Sequence, residues 1–134
     1  MTDVLQAVTE LLYGPGEPLY GFDGDEAQAE AEAILNFNGK PYCLIRGWII
    51  VEVEVDDNYR DELAAAGFEP NVVYASNVRV HSAGKRRVGD WVRSTFQRSF
   101  RAGYVFETKN TTYLLMGDGF RKRATAKTVL SIVE

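Results

Sequence analysis

Cysteine and histidine are nearly missing from this 134-residue chain: each occurs once, as Cys43 and His81. One cysteine excludes an intrachain disulfide, and one of each excludes a zinc centre of clustered Cys and His. The absence of disulfides fits a reducing compartment. No apolar run approaches the ~20 residues needed to span a bilayer. Positive charge is absent from residues 1–39, so the opening MTDVLQAVTELLYG lacks the basic start of a secretory signal. These absences point to a cytoplasmic protein without membrane contact.

What is present is an ordinary globular composition, 46% hydrophobic and 25% charged, in a length that predicts one domain over 1–134. A chain of this size buries a core without covalent staples. The net charge of −4 conceals a split. Residues 1–70 carry fifteen Asp/Glu and three Lys/Arg, or −12; residues 71–134 carry four and twelve, or +8. Either the charged surfaces face partners, or the two halves fold together and their fields partly cancel.

The spacing of Val4, Leu5, Val8, Leu11 and Leu12 predicts a helix, capped at Thr2 or Asp3 and broken by the loop GPGEP. A second helix, rich in Ala and Glu, starts at Asp23 or Asp25, takes an apolar end from Ile34, Leu35 and Phe37, and stops at Asn38-Gly39. These elements form an acidic helical part, 1–39. The part over 40–134 reads as mainly β. YCLIR and WIIVEVEV are expected as two strands turning at Gly47, with Ile49, Val51, Val53 and Val55 on one face. DDNYRDELAAAG is an inserted helix with an Asp56 or Asp57 cap and a Gly67 stop. VVYAS and VRVH read as a strand bent at Ser76-Asn77, and DWVRSTF as another. GYVFET and TYLLM form a hairpin across Lys109-Asn110 that sets Phe106 opposite Tyr113. ATAKTVLSIVE is a short helix capped at Thr125 or a last strand. This order predicts an α+β fold, its N-terminal helices packed on a twisted, mostly antiparallel sheet or half-barrel.

No motif of catalysis stands out. His81 has only Ser82 beside it, and neighbours on a strand point to opposite faces. Cys43 lies inside a strand, where a thiol is buried and inert. Asp56 and Asp57 begin a helix, and Glu26, Glu30 and Glu32 read as its neighbour's wet face, without an EF-hand pattern. The segment MGDGFRKR offers glycines before positive charge, which can form an anion nest. It lacks the Walker spacing and follows a strand, so a turn with a solvated basic exit is the simpler reading. No cofactor or metal is expected.

Two binding surfaces are candidates. Asp23, Asp25, Glu26, Glu30 and Glu32 form an acidic face for a basic partner. In the other half, Lys85, Arg86 and Arg87, with Arg121, Lys122 and Arg123, border strands rich in aromatics, as in a single-strand nucleic-acid groove. The negative total charge weighs against polyanions.

The stretch from Tyr42-Cys-Leu-Ile-Arg-Gly-Trp48 onward resembles a family of small uncharacterised proteins of Gram-negative bacteria and their phages, over roughly 40–134. The resemblance rests on Tyr74, Ala75 and Asn77, on Gly89 to Ser94 (GDWVRS), and on a Thr-x-Asn-Thr-x-Tyr-x-Leu-x-Gly segment from Thr108 to Gly117. It implies no activity. It implies an accessory protein that docks on a host complex and modulates it. The expectation is thus a non-enzymatic protein-binding module, with nucleic-acid binding as the alternative and a small enzyme last.

Overall fold

The structure is a computed structural model that describes residues 2–132. Helix α1 (Thr2–Tyr13) leads into strand β1 (Glu17–Tyr20) and helix α2 (Glu26–Leu35). Strand β2 (Tyr42–Glu54), helix α3 (Asp57–Ala65) and strand β3 (Asn71–His81) follow. Strands β4 (Val92–Arg93), β5 (Ser99–Arg101), β6 (Val105–Glu107), β7 (Thr112–Leu115) and β8 (Asp118–Thr125) lead to helix α4 (Ala126–Leu130). The eight strands make one curled, mixed sheet in the form of a half-barrel, with helices on its outer face, so the α+β expectation holds.

β2 organises the sheet. One of its edges pairs antiparallel with β3 along nearly its whole length. Its other edge pairs in parallel with two strands in tandem: Tyr42–Ile45 with Thr112–Leu115, then Ile49–Glu54 with Phe120–Thr125. β2 is therefore one strand, not the two expected. Gly47 bends it without reversing it, at φ +63°, and a Cβ there would stand 2.4 Å from Ser76 Oγ. Gly117, at φ +68°, bends the neighbouring chain between β7 and β8 at the same level.

The bend keeps the two faces of β2 distinct. Cys43, Ile45, Trp48 and Ile50 line the concave interior with Val73, Phe106 and Leu115. On the outer face Leu44, Leu114 and Met116 receive Ala29 and Ala33 of α2. Farther along that face, Ile49, Val51 and Val53 receive Leu11 of α1 and Val129 of α4, as the alternation predicts. Trp48 lies against the backbone of Gly119, where a Cβ would stand 2.3 Å from the ring, and its indole N–H donates to Met116 O at 3.1 Å.

Several expectations are corrected. Thr2 and Asp3 lie inside α1 rather than before it, and the position preceding them is outside the described residues. The segment GPGEP ends in β1, an edge strand that tolerates Pro18 because an edge needs no donor there. DWVRSTF supplies only the two residues of β4. FRKR is not a solvated exit from a turn: it runs through β8, between β1 and β2. Asp25, Asp56 and Thr125 cap α2, α3 and α4, each accepting a backbone N–H three residues on. The hairpin pairs Phe106 with Tyr113 as expected.

Candidate functional site

The inward face of α2 is narrow. Only Ala29 and Ala33 are buried against the sheet. One full half-turn away stand Ala27, Gln28, Ala31, Ile34 and Leu35, all exposed. Ile34 is 57% exposed, Leu35 81% and Phe37, just past the helix, 59%. Apolar side chains of that size usually find cover, so an outward strip of two alanines and three large apolar groups is unusual for a surface helix.

The acidic residues occupy the flanks between these faces. Glu30 accepts a hydrogen bond from Tyr42 OH at 2.9 Å, and Glu32 accepts one from Tyr104 OH at 2.9 Å. Glu26 pairs with Arg79 at 3.8 Å. Burial, then the Glu30 bond and charge, push the Tyr42 phenol above its ordinary value. For Tyr104 the bond to Glu32 is the main cause, followed by burial and charge. Both phenols thus hold their protons and tie α2 to the sheet from its two sides. The expected wet face of Glu26, Glu30 and Glu32 is corrected: these carboxylates are half-buried flanks, and the wet face is apolar. Asp23 is exposed, while Asp25 completes a capping box with Gln28. Sequence periodicity alone leaves this orientation open, because Ala fits either face and the tyrosine partners lie 12 and 72 residues away.

The basic residues divide. Lys85, Arg86 and Arg87 are exposed on the loop after β3, next to the Cys43 end of β2. Arg121, Lys122 and Arg123 pair with Ile50, Val51 and Glu52 at its other half. The two clusters are separated by about eight strand residues, roughly 25 Å, so they do not border one edge. Arg121 and Arg123 share Glu52, at 3.3 and 3.4 Å. Lys122 is 9% exposed and its ammonium donates to Leu11 O at 2.8 Å and Gly14 O at 2.9 Å. It caps the carboxyl end of α1, which has no basic residue of its own in its last turn.

The isolated reactive residues are spoken for. Cys43 is fully buried, and burial pushes its thiol up to about 12. His81 is held below its ordinary value by burial and then by the charges of Arg86 and Lys85, and its Nδ1 accepts the N–H of Ala83 at 3.2 Å. Among the described residues no group of His, Cys, Asp and Glu could hold a metal, and no helix is long and apolar enough to cross a membrane.

No curated protein and no solved structure matches this chain. A family model does, over residues 20–131, a span that takes in α2 with its acidic flanks and strands β2 to β8. The chain belongs to the family described as a domain of unknown function (DUF6957).

Proposed function

We propose that this protein is a non-enzymatic protein-binding module whose docking face is the outward strip of α2. The observation that carries the reading is the exposure of Ile34, Leu35 and Phe37 on a helix that buries only two alanines. Ala27 and Ala31 keep the strip low, so a partner helix or loop can approach the backbone closely. The rim selects the partner's charge. Asp23, Asp25, Glu26, Glu30 and Glu32 surround the strip, and no Lys or Arg occurs before Lys40. A second copy would set this acidic rim against itself, so the strip suits a different protein, with an apolar patch framed by Lys or Arg. The resemblance to small proteins of bacteria and phages supports a role in modulating a host complex. Nucleic-acid binding is less supported, because the basic clusters are far apart and Lys122 is engaged within the fold.

The test is an affinity capture compared across variants. Ile34→Ser with Leu35→Ser cuts back the strip, and Asp23→Lys inverts one rim charge; all three positions are exposed, so the fold should survive. We expect a basic protein captured by the wild type and lost by the double variant, with weaker capture by Asp23→Lys and at high salt. Equal capture by wild type and double variant would discard the reading, as would a wild type that dimerises through α2 in ultracentrifugation.

A further inference from the structure

A separate cleft lies on the outer face of the sheet, at the far end of β2 from α2. Its walls are Val53, Val55, Tyr59, Phe96, Val129 and Leu130, drawn from the end of β2 and the residue just past it, α3, the segment after β4, and α4. Its volume is about 440 Å³, inside the roughly 300–1,000 Å³ range of small-ligand sites. Among the described residues no Asp or Glu lines it, and its one cation is Arg93. That guanidinium is oriented: Nη1 donates to Val129 O at 2.8 Å, across the end of α4. Among the described residues Arg93 makes no ion pair.

We infer that this cleft binds a small amphipathic carboxylate, with its apolar body among the valines and aromatics and its acid head on Arg93. The chemistry narrows the ligand from each side. A cationic head would be repelled by Arg93. A neutral apolar ligand would cover the guanidinium without pairing it, which is unfavourable for a charged group losing water. A polyanion would find one cation and apolar walls. A single carboxylate satisfies the fork of an arginine that has donors to spare. The site lies roughly 30 Å along β2 from α2, so it stands independently of the docking face.

Octanoate is the probe, with octan-1-ol and octylammonium as controls, titrated into the full chain and followed by methyl NMR. We expect saturable shifts of the Val53, Val55, Val129 and Leu130 methyls with octanoate. The two controls should bind at least tenfold more weakly. Arg93→Gln should weaken octanoate by on the order of tenfold or more, the scale of a lost charge-assisted bond. Should Arg93→Gln fail to fold, Leu130→Glu decides: Leu130 is 68% exposed, so the variant keeps the fold and places a like charge at the mouth. Octanoate binding should then vanish. The proposal is overturned if octanoate produces no saturable shifts, if all three probes bind alike, or if the folded variant binds as the wild type does.

Discussion

Gly119 shows how one missing side chain decides a core. The Trp48 ring occupies the space a Cβ would need, with three ring carbons within 2.5 Å of that position. The nearest atoms belong to a buried ring in the middle of the interior, not to the free end of a flexible chain, so the ring or the strand must shift. Gly119→Ala should therefore destabilise by about 1–3 kcal/mol, the usual cost of overpacking. Urea melts check this, and an unchanged midpoint would mean that Trp48 has room to move. Glu107 is decided by charge instead. Burial alone would raise its carboxyl, but bonds and charge from Lys40 and Arg101 outweigh burial and hold it below its ordinary value. Arg101 Nη1 stands at 3.0 Å, and Lys40 also donates to Thr108 O at 2.9 Å. A depressed carboxylate contributes stability above its unfolded value, and that contribution fades as pH falls through the folded value. The stability gap between wild type and Glu107→Gln should thus be full at neutral pH. It should begin to shrink near ~4.3 and close at lower pH. A gap constant across the acid range would contradict the assignment.

At the scale of elements, the end of α1 depends on a residue that lies 111 positions away. Lys122→Met keeps the length of the side chain but leaves the carbonyls of Leu11 and Gly14 without their shared donor. The expected cost is about 1–3 kcal/mol. Faster hydrogen exchange should appear in α1 ahead of the sheet, whereas uniform loss across the chain would argue for a packing effect. This same residue shows where sequence reading stops. The helices α1 and α3, the cap at Thr125 and the alternation of β2 were legible because caps and periodicity are local. β8 was not, since Arg121, Lys122 and Arg123 in a row suggest solvent. Their partners, Glu52 and the end of α1, come from the distant acidic part of the chain. Gly47 reads as a turn because a glycine that bends a strand and one that reverses it look alike in sequence. The orientation of α2 is half legible: its acidic residues and apolar end stand out in the sequence, but only the tertiary partners Tyr42 and Tyr104 show that Glu30 and Glu32 flank the sheet.

Across the whole molecule, the acidic and basic parts partly neutralise one another. The pairs Arg79–Glu26, Arg121–Glu52 and Arg123–Glu52 each join the first 70 residues to the rest. Such partly exposed pairs add little stability individually, yet they leave the charge of α2 less balanced than that of the sheet. The tandem pairing along β2 has a different consequence, for a molecule held by its two ends and stretched. β1 and β8 are antiparallel, with Glu17 beside Arg121, so tension enters both strands from the same end. Their bonds are then loaded one at a time, and β1 peels away at low force. Tension next reaches β2 at Tyr42 and leaves β8 at Thr125. These strands are parallel, so the load enters at opposite ends and their six paired positions bear it together. Force spectroscopy should record an early, weak release of the segment before β2, then a stronger rupture as β8 shears from it. A single rupture at low force would mean that β2 and β8 also unzip.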